Sequence, residues 1–281
     1  VLGSTGMIGH QVFNYLKVNS VFELYNVSFR KKLQDDSFIL DARSEDTLVK
    51  YIESISPNYI INCIGILING SNRDPENAIF LNSYLPHRLS RLADGINSKL
   101  IHMSTDCVFS GEKGYPYIEI DDKDGNGVYA KTKGLGEVIS DKHLTIRTSV
   151  VGPQLESDGG ELFHWFMTQS GSISGYTRVI WSGVTTLELA KATLWCIENK
   201  ITGLYHITNN DSICKYDLLK LFKKYTGKEI DILPIDGKEV DKSFIDTRKL
   251  IDYKIPSYEQ MVVEMTNLIR SNKVLYSQYT V

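Results

Sequence analysis

The sequence predicts an α/β fold built on a doubly wound parallel sheet, and three observations lead there. A glycine triplet, "GSTGMIG" at 3–9, stands between an apolar strand end and an amphipathic helix. Short apolar runs alternate with helical periodicities as far as residue 150, and one run, "YIINCIGIL" at 59–67, is apolar without alternation. Strands buried on both faces and joined by crossover helices produce this pattern. The reading is a Rossmann-type domain over 1–150. A smaller lobe over 151–281 follows, with some of its segments returning to the sheet.

Val1 and Leu2 read as the end of a buried strand. A helix follows over 7–18, with Ile8, Val12, Phe13 and Leu16 on its inner face. "ELYNVSF" and "SFILDA" read as strands, and "SEDTLVKYIESI" as a helix capped by Ser44. Next come the strand at 59–67, a helix over 76–93, the strand "KLIHMST", a helix over 128–139 and the strand "LTIRTSV". Past Val151 the rhythm breaks into the glycine-rich "GPQLESDGGELFHWFMTQSGSISG". "TTLELAKATLWCIENK" then reads as a helix, "GLYHIT" as a strand that rejoins the main sheet, and "KYDLLKLFKKYTG" as a helix; "SNKVLYSQYTV" carries no clear pattern.

A length of 281 residues suits one large domain or a domain with a lobe, and 42% hydrophobic with 23% charged residues is ordinary for a soluble globule. The net charge of -3 lacks the basic excess of a nucleic-acid binder. Cys63, Cys107, Cys196 and Cys214 lie far apart with no metal-ligand spacing, so reduced thiols, no metal and a cytoplasmic location are expected. The longest apolar run, 59–68, is too short to span a bilayer, and no charged-then-apolar leader is present. The sequence starts at Val1 inside a strand without an initiator Met, so a few native residues are expected before it.

The glycine loop defines the first candidate site. Gly3 permits the tight turn, Gly6 lets backbone approach a pyrophosphate, and Gly9 lets helix and strand pack closely; Thr5, Met7 and Ile8 complete the cradle. After the second strand, "SFRKK" offers Arg30 and no acid. An acid there would bind a ribose 2'-hydroxyl and an Arg accommodates a 2'-phosphate, so NADPH is favoured over NADH. Asp41 and Ala42 after the third strand border the adenine in this reading, and Cys63, Ile64 and Gly65 after the fourth line the far side.

"YAKTK" sets Tyr129 and Lys133 on one helix face. A phenol titrates near 10, and a neighbouring ammonium is expected to lower that value and make a working acid/base. Thr105 ends the strand "KLIHMST", where ligands of such sheets sit.

Together "GSTGMIG", "STDCVF" and "YAKTK" resemble the extended short-chain dehydrogenase/reductases, most closely the dTDP-4-dehydrorhamnose reductase group. "PYIEID" at 116–121, with Glu119 ten residues before Tyr129, fits that group's middle element, and "TIRTS", "GLYHI" and "SFIDTRKL" extend the likeness. The resemblance implies an NAD(P)H-dependent enzyme reducing C4 of a nucleotide-linked 4-keto-6-deoxy sugar in polysaccharide precursor synthesis. Thr105 would hydrogen-bond the substrate oxygen, Tyr129 deliver the proton, and Lys133 tune Tyr129 and bind the nicotinamide ribose. Asp106, Cys107, Trp181 and Lys242 are the further candidate substrate contacts. Trp165 and Tyr176 are weighed with Trp181 as pocket residues, although core packing is the commoner role of such side chains. The partner is the sugar nucleotide, with no nucleic acid and no membrane; a homodimer is left open.

Several positions depart from the group. Cys107 stands where an aromatic residue is usual, and a dehydratase would carry Glu there. Epimerase/reductases similar to GDP-fucose synthase place a Cys at this point, which raises epimerisation before reduction, with His164 as partner although Glu161 occupies the expected place. "EVDKS" replaces an Arg-Pro, leaving Lys242 as a point-charge phosphate contact, and "DGNG" at 124–127 replaces a Pro and Asn. A non-catalytic NADP-binding regulatory subunit is the competing class.

Overall fold

The main sheet of the computed structural model, which describes residues 1–157, 159–248 and 252–281, is entirely parallel. Its strands lie in the order Phe38–Ile39, Val27–Ser28, Leu2, Tyr59–Asn62, Lys99–Met103, Leu144–Arg147, Gly203–His206. Leu2 joins the halves through single bridges to Val27 and Asn62. The order reverses at Leu2, so a crevice opens beyond the carboxyl ends of Leu2 and Asn62, the place where doubly wound sheets hold ligands.

The unbroken apolar runs pack on both faces. Ile60 and Leu100 point into one core with Leu48, Ile52, Leu85 and Leu89 of the helices Glu45–Ile55 and Leu85–Gly95. Their neighbours Ile61 and Ile101 point into the other, with Val12 and Leu16 of helix Met7–Asn19, Leu189 of Thr186–Glu198 and Met265 of Tyr258–Ser271. Alternation within an all-apolar strand thus serves two cores. The doubly wound fold read from the sequence is the one observed.

Some elements are shorter than expected. "ELYNVSF" and "SFILDA" pair only over Val27–Ser28 and Phe38–Ile39, because the pair lies at the sheet's edge and Phe38 and Ile39 are exposed. The helix expected over 128–139 stops at Leu135, where Gly136 caps it. A Cβ on Gly136 would lie 1.8 Å from the Asn82 carbonyl oxygen. The helix expected over 76–93 runs as Pro75–Ala78, a π-helical turn Ile79–Tyr84, and Leu85–Gly95.

Beyond Val151 the chain forms a smaller set of strands. Val179–Trp181 lies between Ile213–Cys214 and Val240–Asp241, and Ser172–Tyr176 pairs with Asp231–Ile235. A bridge from Tyr117 to Phe244, closed by Val108 and Phe109, fastens this part to the segment after Lys99–Met103. No described helix is long and apolar enough to cross a membrane.

Candidate active site

Gly3 sits at φ +76°, a backbone region that L side chains avoid. A Cβ on Gly9 would lie 2.1 Å from the Gly3 carbonyl oxygen, so helix and loop touch backbone to backbone there. Helix Met7–Asn19 starts at Gly6 with no side-chain cap and no acid in its first turn. Its free first-turn amides therefore suit an anion.

The loop opens on a cleft of about 740 Å³ lined by Gly3, Thr5, Gly6, Arg30, Asp41 and Ala42, among others. A chamber of about 250 Å³ continues from it past Met7 and Ile8 to Tyr129 and Lys133. Thr5, Gly6, Cys63, Ile64 and Gly65 border both. Every cofactor candidate read from the sequence lines this groove except Gly9, which packs behind it. The cradle thus has the shape and donors that a dinucleotide needs.

At the far end, Lys133 is 4% exposed and its ammonium donates to the Met103 carbonyl at 2.6 Å. Burial lowers its pKa to about 8, against the opposing charge of Glu137. The Tyr129 phenol is shifted upward, by burial first and then by Cys107, while the neighbouring Thr105 hydroxyl opposes the shift. This corrects the expected lowering by Lys133: with Lys133 turned to a backbone carbonyl, desolvation dominates. The result is a protonated phenol at neutral pH, the form a proton donor needs. The Thr105 hydroxyl donates to Asp106 Oδ1 at 3.2 Å and accepts from the Cys107 amide at 3.1 Å, which fixes its rotamer beside Tyr129.

A family model described as the RmlD substrate binding domain matches residues 1–245. The chain belongs to that family. Spore coat polysaccharide biosynthesis protein SpsK of Bacillus subtilis (strain 168) is 26% identical over 85% of this chain and 83% of that one. The dTDP-4-dehydrorhamnose reductase of Aggregatibacter actinomycetemcomitans is 29% identical over 53% of this chain and 50% of its own. A solved dTDP-4-dehydrorhamnose reductase from Bacillus anthracis str. Ames, in complex with NADP, shares the fold with a TM-score of 0.81. It is 21% identical and the match covers 95% of this chain and 97% of that one. The family likeness of the three sequence motifs is borne out; of "SFIDTRKL", Lys249 and Leu250 lie outside the described residues.

In this RmlD-family chain the remaining candidates divide. Burial first, then Asp106, pushes the Cys107 thiol up to about 12, so it is a neutral thiol rather than the ready base that its ordinary pKa suggested. His164 does not face it: Nδ1 meets the Tyr279 hydroxyl at 2.9 Å and Nε2 the Ser157 carbonyl at 3.1 Å. Glu161 lines the chamber instead, its carboxyl raised by burial. Lys242 lies close enough to Cys107 for its charge to lower the thiol's pKa, in opposition to burial. Trp181 corrects its expected place: it is 4% exposed, packs against Tyr258 and carries the Lys215 ammonium 5.2 Å over its ring, because the lobe's strands close around it. Tyr176 is exposed, and Trp165 packs partly buried against the core.

Sequence reading missed four contributors. Arg43 lines the cleft, holds Asp41 with Nη2 at 2.6 Å from Oδ2, and shares the Phe29 ring with Arg30. Asn82 receives the Ile66 amide at 2.8 Å and donates to the Ile66 carbonyl at 3.0 Å and to Thr132 Oγ1 at 3.2 Å. It thereby ties the loop after the fourth strand to the helix of Tyr129 and Lys133. A polar residue inside the apolar "AIFLNSYL" was its available signal. Glu137 and Arg147 form a fully buried bidentate pair at 2.8 and 2.7 Å, and Ser104 donates to Glu137 at 2.7 Å. Burial would raise the Glu137 carboxyl; Arg147 and Ser104 outweigh it and hold it below its ordinary range.

Proposed function

We propose that this chain is an NADPH-dependent reductase of a nucleotide-linked 4-keto-6-deoxy sugar, similar to dTDP-4-dehydrorhamnose reductase, acting in polysaccharide precursor synthesis. The observation that carries the reading is one chamber lined by glycine-loop residues, Tyr129 and Lys133 together. The family membership and the reductases among its relatives support it. In this reading residues 1–150 hold the cofactor and the later lobe mainly holds the sugar nucleotide.

The free amides of Met7 and Ile8 receive the pyrophosphate, and Arg30 and Arg43 offer guanidinium groups to a 2'-phosphate. NADPH, when bound, supplies the hydride. Thr105 orients the sugar's carbonyl oxygen, and Tyr129, a phenol protonated at neutral pH, hands that oxygen its proton. Lys133 carries positive charge beside Gly65, where a Cβ would lie 4.0 Å from its Nζ. That charge suits a ribose hydroxyl.

The test is NADPH absorbance followed against a panel of nucleotide-linked 4-keto sugars. Turnover abolished by Tyr129→Phe is expected. Tight NADPH binding without turnover on any sugar would overturn the enzyme reading in favour of a regulatory subunit. Running the reaction in deuterated water decides the epimerase alternative: label at C3 or C5 would require it.

A further inference from the structure

The last residues of the chain lie outside the matched family region of 1–245 and showed no pattern in sequence. Yet Tyr276 is 2% exposed and Tyr279 is 8%, while Val274 beside them is 95% exposed. Each tyrosine ends on a buried histidine, and each histidine holds a loop carbonyl. His10 Nδ1 lies 2.9 Å from the Gly6 carbonyl, so it is the protonated nitrogen; Nε2 is left to accept from the Tyr276 hydroxyl at 3.0 Å. The same hydroxyl also donates to Gln11 Oε1 at 3.1 Å, so its single hydrogen is shared between the two acceptors. His164 Nε2 donates to the Ser157 carbonyl at 3.1 Å, and its Nδ1 accepts from the Tyr279 hydroxyl at 2.9 Å. That hydroxyl in turn accepts from the Gln154 amide at 3.2 Å, and the Gln278 side chain donates to the Gln154 carbonyl. Burial lowers the His10 pKa to about 4, which keeps the ring neutral as this arrangement requires.

The two loops so held both line the Tyr129 chamber. Thr5, Gly6 and Met7 form one, and Gln154, Leu155 and Glu161 the other. We propose that Tyr276 and Tyr279 are positioning residues: they fasten the glycine loop and the wall of Gln154, Leu155 and Glu161 in the spacing that encloses the nicotinamide end of the cofactor. The cofactor part of this inference rests on the proposed function; the fastening of the two loops does not. Neither tyrosine touches the reacting atoms. Their effect runs through His10 to Gly6 and through Gln154 and His164 to the second loop.

Tyr276→Phe and Tyr279→Phe remove one hydroxyl each and keep the ring packing, so both variants should fold. Hydrogen exchange read by mass spectrometry should rise in the peptide over 3–12 for Tyr276→Phe, and in that over 154–166 for Tyr279→Phe. The Kd for NADPH, read by fluorescence titration, should rise about threefold to tenfold in each, the effect of about one hydrogen bond. In the sugar assay KM for NADPH should move more than kcat. Exchange unchanged in both peptides would overturn the fastening. A Kd within twofold of the wild type, together with a lowered Tm, would reduce the tail to general stability and overturn its role in enclosure. Wild-type protein that binds no NADPH would instead overturn the cofactor reading, and the exchange comparison would still judge the strap.

Discussion

Replacing Gly6 by alanine separates binding from folding. Gly6 has φ -71° and ψ 165°, an extended conformation open to any residue. A Cβ there meets only the Gly3 carbonyl oxygen within 4 Å, at 3.3 Å, and otherwise enters open space in a groove that Gly6 lines. A shift of a few tenths of an ångström relieves that contact, so the stability loss should stay below about 1 kcal/mol. In Tm this is less than about 4 °C. The added methyl holds a pyrophosphate away from the first-turn amides. Weakening one charge-assisted hydrogen bond costs about 2 kcal/mol, roughly thirtyfold in Kd for NADPH. Gly9→Ala is the contrast: at 2.1 Å from backbone oxygen the methyl must displace the turn by over about 1 Å, and overpacking of this kind costs about 1–3 kcal/mol. Fluorescence titration with NADPH and thermal melts of both variants make the comparison. Wild-type affinity in Gly6→Ala, at unchanged Tm, would refute the assignment of this loop to the pyrophosphate.

Tyr129→Phe should cut kcat at least about a hundredfold while the Kd for NADPH stays within about threefold, since only the proton donor is lost; stopped assays and titrations read the two. Lys133, at about 8 instead of its ordinary 10.5, loses its charge as pH rises through the lower value, so NADPH affinity should fall above about pH 8. The folded state binds fewer protons between those values, so this group's contribution to stability should rise over the same window while affinity falls; a pH series of titrations and melts checks both signs. Arg30→Ala should lower the preference for NADPH over NADH about tenfold, measured as the ratio of Kd values. Glu137→Gln strands Arg147, whose side chain is 1% exposed, and should cost about 3–5 kcal/mol in denaturant unfolding.

What could be read from the sequence was local. Tyr129 and Lys133 lie one helical turn apart, and the glycine loop is a single turn between strand and helix, so spacing alone placed both. Asn82 and Thr132 are 50 residues apart, and Tyr276 and His10 are 266 apart; no periodicity connects such pairs. The sign of the Tyr129 shift was misjudged for a related reason. Burial depends on everything packed around the phenol, and the direction in which Lys133 points was set by Met103, a residue thirty positions away. Helix Tyr258–Ser271 went unread although Ser257 caps it and Met261, Val262, Met265 and Ile269 recur on one face.

The π-helical turn at Ile79–Tyr84 has a consequence for sequence change. Such a turn holds one residue more than a regular helix, and one residue is about 100° of rotation. Within it lies the grip of Asn82 on Ile66 and Thr132; downstream lie Leu85 and Leu89, both fully buried. Deleting a single residue between them would put the two sets out of phase. Either the leucines would swing toward solvent or Asn82 would release its loop. Point substitutions at this helix leave its phasing intact, whereas a one-residue change in its length forces a choice between hydrophobic packing and the wall of the cleft.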